Sequence, residues 1–285
     1  MKHLLFLSIT LSLLSAVQAQ RDTNDFVTTW RTTIFNPNIS NSNDSSVHIN
    51  IDTTRVYNYD VDWDNDGVFD NLGVTTAVTH QYSDTGTYTI RIRGQFPRIV
   101  FGATVFYNNT PTINKVLDGL KLISIDQWGY IAWEDLYYAF SENANMIYNA
   151  TDVPNLSLGP RLGGMFNFCR KFNGAIANWD VSRVKSMEYL FSNCFLFNQD
   201  LSGWAVDSVI NMEYMFINAR RYNQNMAAWS VSQVMNMKLM FYKAYDFNQD
   251  ISSWDVSKVT TMEGMFEQDS AFNQDISAWQ VDSVE

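Results

Sequence analysis

From Trp179 onward the chain repeats itself every 25 residues, and no other feature restricts its fold so tightly. Tryptophans stand at Trp179, Trp204, Trp229, Trp254 and Trp279, and phenylalanines at Phe166, Phe191, Phe216, Phe241 and Phe266. Asparagines keep the same step at Asn173, Asn198, Asn223, Asn248 and Asn273. A fixed period of this length signals stacked units, each of which buries its apolar side against its neighbours. It points to a scaffold that presents a surface, not to a catalytic pocket.

Within one unit, residues 204–226, the apolar side chains Val209, Met212, Met215, Phe216 and Ala219 follow a 3-3-1-3 spacing that predicts the inner face of a short helix. Two positions before that stripe stand Ser182, Asp207, Ser232, Ser257 and Asp282, residue types that cap helix amino termini. A helix of about ten residues is marginal alone, so stacking must hold it. The second half of the unit predicts one short strand per copy, with Leu201, Met226, Ile251 and Ile276 in a shared slot. The Asn column predicts a buried ladder in which each amide bonds the next copy. The Trp column supplies packing area. Cys169 and Cys194 are also 25 apart, and Ala219 and Ala244 continue their slot, which marks a small buried position. Neighbouring units bring two such cysteines within disulfide range, but parallel side chains rarely reach the torsion, which favours two packed thiols over a bridge. No ligands are spaced around them for a metal.

The amino terminus sets the compartment. Lys2 and His3 precede an uncharged run, residues 4–17, and small residues surround Ala19. That is the pattern of a secretory signal peptide over residues 1–19, too short for the roughly 20 residues of a membrane span. A secreted or cell-surface location follows. No later apolar run is long enough to cross a membrane. The net charge of -11 argues against a nucleic-acid partner, whose phosphates demand Lys and Arg.

Residues 26–106 have a different texture, with short Val-, Ile-, Thr- and Tyr-rich segments between Asn, Asp and Gly clusters, as in all-β modules. Asp62-Trp63-Asp64 followed by Thr79-His80-Gln81-Tyr82 and Gly86-Thr87-Tyr88-Thr89-Ile90 resembles the PKD family of extracellular β-sandwich modules. The resemblance covers roughly residues 45–100 and places such a domain, with its lead-in, over residues 20–110. It departs at a loop longer than the family's usual tight turn. That loop sets Asp62, Asp64, Asp66 and Asp70 at positions 1, 3, 5 and 9, with Gly67 at position 6, as a calcium-binding loop begins. Position 12 is Gly73 in place of a bidentate Glu, and an acidic hairpin turn accounts for the same residues. His80 has no nucleophile signature around it and reads as a structural group.

The repeat resembles the BspA-like leucine-rich-repeat surface proteins of bacteria, in the branch reading Phe-Asn-Gln-Asp-Ile-Ser-x-Trp-Asp-Val-Ser. Residues 247–259, with Met262, Met265 and Phe266, match that string almost letter for letter. Residues 122–129 and Trp133 to Phe140 resemble a degenerate first unit, giving a cap over residues 111–164 and repeats over residues 165–285. The expected fold is multidomain: an all-β PKD-like sandwich followed by an α/β leucine-rich-repeat-like solenoid of 25-residue rungs. The resemblance implies a secreted or surface-exposed adhesion or interaction scaffold with no enzymatic activity.

The slots that vary most lie between the expected helix and strand, and they nominate Phe195, Arg220, Arg221, Tyr245 and Asp246 as a ligand surface, since aromatics and Arg anchor interfaces. Drift at exposed loop positions explains any one of them equally well. The expected partner is an extracellular protein or glycan. A spacer within a larger envelope protein is the alternative. An accessory module of a glycan-active enzyme is less favoured, because no segment is left to build a cleft with paired carboxylates. The last residues, Val281-Asp282-Ser283-Val284-Glu285, enter the apolar stripe without completing it. Stacked units need a polar terminal cap, so a longer natural protein, or end-to-end self-association of this one, is expected.

Overall fold

The structure, a computed structural model, describes residues 24–34, 42–102, 105–107, 110–112 and 118–285. The leader expected over residues 1–19 lies outside them.

The first part is a sheet built on alternation. β1 (Phe26–Arg31) buries Phe26, Thr28 and Trp30 and leaves the residues between them partly open, as a strand with one face on the core must. It pairs antiparallel with β6 (Thr87–Gln95), which pairs on its other side with β3 (Asn58–Asp62) and through it reaches β4 (Asn71–Val74). A separate antiparallel pair, β2 (Ser46–Ile49) and β5 (Val78–Gln81), adds Val47 and Ile49 to the same core as Tyr59, Val61, Ile90 and Ile92. A second small pair joins β7 (Val105–Tyr107) to β8 (Thr110–Thr112). The large sheet then recruits β9 (Leu122–Gln127), antiparallel to β1, and β10 (Ile147–Tyr148), parallel to β9, giving the order β10-β9-β1-β6-β3-β4. One hydrophobic cluster runs from Phe26 in this sheet to Trp279 in the last copy of the repeat.

The expected fold class is overturned in the repeats. Among the described residues the only helical element is a four-residue 3-10 turn, Asp118–Lys121, and no strand follows β10. No α/β leucine-rich-repeat-like solenoid with a helix and a strand in each unit forms. Each copy is a run of tight turns joined to its neighbours by isolated parallel bridges, Ser186 to Asn211, Asn211 to Asn236 and Asn236 to Thr261.

Backbone dihedrals explain why the helix fails. Tyr189, Asn193, Tyr214, Asn218, Leu239 and Lys243 all have φ between 51° and 58°, the left-handed region that a right-handed helix cannot include. The amide hydrogens then divide between two tasks. Those of Met187, Tyr189, Phe191 and Asn193 donate to the carbonyls of Asn211, Glu213, Met215 and Ile217 in the next copy, at 2.8–2.9 Å. Those of Leu190, Ser192 and Cys194 close turns onto Met187, Tyr189 and Phe191 three residues back. Turns closed from i to i+3 return every third residue to the same side, which reproduces the spacing that predicted a helix. Val209, Met212, Met215, Phe216 and Ala219 are accordingly all fully buried.

Two of the expected helix caps, Ser182 and Ser257, instead donate their amides to Oδ1 of Asp180 and Asp255 two residues back. In a separate slot Ser202, Ser252 and Ser277 do the same to Asp200, Asp250 and Asp275, all at 2.8–3.1 Å, Asx turns that each start a bend. Bonds from those serines hold these aspartates below the usual carboxylate range. The Trp rings stack 6.4 Å apart, and each indole N–H of Trp204, Trp229, Trp254 and Trp279 donates to the carbonyl 28 residues before it. The Asn ladder is present but not buried. Oδ1 of Asn173, Asn198, Asn223 and Asn248 accepts the backbone N–H of the next Asn at 2.9–3.1 Å, while the side chains lie half-buried or exposed along one edge. Cys169 and Cys194 are buried free thiols, each donating to a carbonyl, of Phe140 and Phe166, and burial pushes both thiols up.

Candidate functional site

Residues 170, 195, 220 and 245 occupy one slot in four successive copies, at the turn between the bridged segment and the Asn edge. They alternate in kind. The guanidinium of Arg220 lies 4.3 Å from the ring centroid of Phe195 and 5.9 Å from that of Tyr245, and Arg170 lies 5.6 Å from Phe195 on the other side. Each exposed cation–aromatic contact contributes about 0.5–1 kcal/mol. Nε of Arg220 also donates to Oδ1 of Asn218 at 2.9 Å, which fixes the plane of the guanidinium. In the neighbouring slot Arg221 and Asp246 approach to 4.0 Å, both well exposed, a pair that water screens to little effect. The five residues nominated from the sequence therefore fall into two adjacent columns: Phe195, Arg220 and Tyr245 in one, Arg221 and Asp246 in the other. Leu196, 52 % exposed, adds apolar surface beside them.

A second concave surface escaped the sequence reading. Tyr137, Tyr138, Phe168, Glu188, Tyr189, Glu213 and Tyr214 line a groove of about 570 Å³ on the bridged face. Tyr189 and Tyr214 stack at 4.5 Å, and Tyr137 meets Tyr138 edge-on at 4.7 Å. Burial pushes the carboxyl of Glu188 up, and Glu213 in the next copy adds to the shift. The groove exists because Gly163 and Gly164 stand where later copies carry Glu188-Tyr189 and Glu213-Tyr214. A Cβ on Gly164 would lie 2.5 Å from the Tyr138 ring, and one on Gly163 would lie 2.6 Å from the Glu188 carboxylate. The paired glycines, one period before Glu-Tyr, were the signal available in the sequence.

The acidic loop between β3 and β4 brings oxygens of Asp62, Asp64 and Asp70 within 4.8 Å of one another. Asp66 does not join them; its Oδ1 accepts the amide of Val68. The two oxygens of buried Asp62 accept the amides of Asn65 and Gly67 at 2.7 and 3.0 Å, and Asp70 accepts that of Trp63. Burial raises the Asp62 carboxyl. Three carboxylates fall short of the six to eight oxygens calcium takes, so the remaining ligands would have to be carbonyls and water. His80 stacks on Trp63 at 4.9 Å, and burial lowers its ring below the usual histidine range.

A chain whose 25-residue copies stack slot on slot, with varied side chains along the edges, is a repeat protein. It belongs to the family described as Mycoplasma protein of unknown function, DUF285, whose family model matches residues 134–245 and 226–285, more than half of the chain. No curated protein and no solved structure matches it. Among the described residues no helix is long and apolar enough to cross a membrane.

Proposed function

We propose that this chain is an exported scaffold of the BspA-like surface type, with a PKD-like module over residues 20–110, that binds other macromolecules outside the cell. The observation that supports it most is the division of labour among slots. The inward Trp and Phe columns keep one residue from copy to copy, whereas the outward slot of residues 170, 195, 220 and 245 alternates arginine with half-buried or exposed aromatics. Arginine and aromatic side chains are those that anchor interfaces most often. No catalytic activity is part of this reading.

The test is binding of the full chain to panels of extracellular matrix proteins and of glycans, beside a Phe195→Ala/Tyr245→Ala variant. The scaffold reading expects a partner in one panel and weaker binding by the variant. A folded chain that binds nothing in either panel favours a spacer within the cell envelope. Calcium at Asp62, Asp64 and Asp70 is a second proposal, supported by the convergence of their oxygens.

A further inference from the structure

The aromatic column coincides with a basic strip on an otherwise acidic molecule. Arg170, Lys171, Arg220 and Arg221 fill adjoining exposed slots in a chain of net charge -11. Among the described residues neither Arg170 nor Arg220 forms an ion pair. Their guanidinium groups lie over aromatic rings, and that of Arg220 also bonds Asn218 through Nε. A guanidinium so held loses little freedom on meeting an oxyanion, and its fork matches two oxygens of one group.

Spacing narrows the partner. Copies repeat at about the strand-to-strand distance, so Arg170 and Arg220, two copies apart, stand on the order of 10 Å apart. Phe195 lies between them and Tyr245 beyond. A partner that fits is linear, carries anions at intervals of that order, and offers flat apolar faces between them. A sulfated sugar chain has this form: pyranose rings present C–H faces, and sulfates recur with each disaccharide. We propose that this edge binds a linear sulfated glycan, with sulfates on Arg170 and Arg220, which Phe195 holds from between, and a sugar face on Tyr245. The proposal rests on the scaffold reading above and names its ligand class.

The experiment measures binding of the full chain to immobilised heparin, to the same chain chemically desulfated, and to an unsulfated uronic-acid polysaccharide. Salt-sensitive binding to heparin alone is expected. Arg170→Gln/Arg220→Gln should weaken it by roughly tenfold or more and flatten its salt dependence. Phe195→Ala/Tyr245→Ala should weaken it without changing that dependence, and Arg183→Gln, at a different slot, should leave it unaltered. All these side chains are exposed or half-buried, and thermal melts confirm that each variant folds. Equal binding to desulfated heparin, or heparin binding untouched by the double arginine variant, overturns the proposal. If heparin is not bound but an extracellular protein is, through Phe195 and Tyr245, the glycan inference falls and the scaffold reading stands. Binding to neither removes both.

Discussion

Tyr222 carries a hydroxyl in a column otherwise made of phenylalanine: Phe172, Phe197, Phe247 and Phe272. Its ring is fully buried, 5.7 Å from Phe197 and 6.3 Å from Phe247, and its hydroxyl has no hydrogen-bond partner among the described residues. An unsatisfied buried polar group costs about 1–3 kcal/mol. Tyr222→Phe keeps the stack and removes that cost, so urea melts should show a gain of about 1 kcal/mol; a loss would mean the hydroxyl is bonded after all. Asp269 is a similar intruder, filling the slot of Cys169, Cys194, Ala219 and Ala244. Burial, with Asp246 nearby, lifts its carboxyl from 3.8 to about 6. The folded state therefore holds a proton more tightly than the unfolded one. The stabilising share is complete below pH 3.8, is lost as pH rises through about 6, and does not change further above that. Asp269→Asn should remove this dependence between pH 4 and 6, as read in melts across that window. Both intruders were visible in the sequence as column mismatches. What each costs was not, because burial and partners depend on neighbours a whole period away.

At the scale of one copy, the inward slots were legible and the local conformation was not. Val209, Met212, Met215, Phe216 and Ala219 are buried as their spacing required. Helix and serial turns both bring every third residue inward, however, so spacing alone does not separate them. Left-handed φ at Tyr214 and Asn218 decides the matter, and Gly164 and Gly264, in the slot of Tyr214, hint at it in residue type. The Asn edge was half legible: the ladder follows from identity across copies, but its place on the rim does not. Oδ1 of Asn223 accepts both the Asn248 amide and Nε2 of Gln249, at 3.0 and 2.7 Å. Asn223→Leu should therefore cost about 0.5–1.5 kcal/mol for each ladder bond lost, against no more than about 0.5 kcal/mol in all for exposed Arg221→Ala. Equal losses in denaturant melts would deny the ladder any share in stability. The β3–β4 loop yields its own test. If calcium binds there, millimolar calcium raises the melting temperature of the full chain, and Asp64→Asn/Asp70→Asn abolishes the rise. An identical rise in the variant rules the loop out as the site.

Over the whole molecule, the β-rich start and the repeats are locked by charge as well as by apolar contact. Nothing in the composition of residues 122–127 announces that they will pair with β1, since such pairing is decided by partners far along the chain. The same holds for the ionic cluster beside it. Asp135, 1 % exposed, accepts Arg161 at 2.6 Å through the Oδ2 that also lies 3.4 Å from both Arg98 and Arg55. Arg98, itself buried, reaches Asp52 at 2.6 Å, and the amides of Glu134 and Asp135 bond the carbonyl of Pro97. One carboxylate thus joins the segment after β6 to the first two copies. A buried pair replaced as a whole by apolar groups costs little, but removing one partner strands the other charge, at about 3–5 kcal/mol. Asp135→Ala leaves buried Arg98 its closer partner Asp52 and frees Arg161 to solvent, so the loss falls below that limit, at about 1.5–3 kcal/mol, the worth of a hydrogen bond to a charged group. The expected outcome is a stability loss of that size, with faster amide exchange in β1 and β6 as well as at residues 136–142, because a single hydrophobic cluster spans both parts. A loss below about 1 kcal/mol, the range of surface pairs, would show that apolar packing alone holds the two parts together; faster exchange confined to one part would show that they unfold separately.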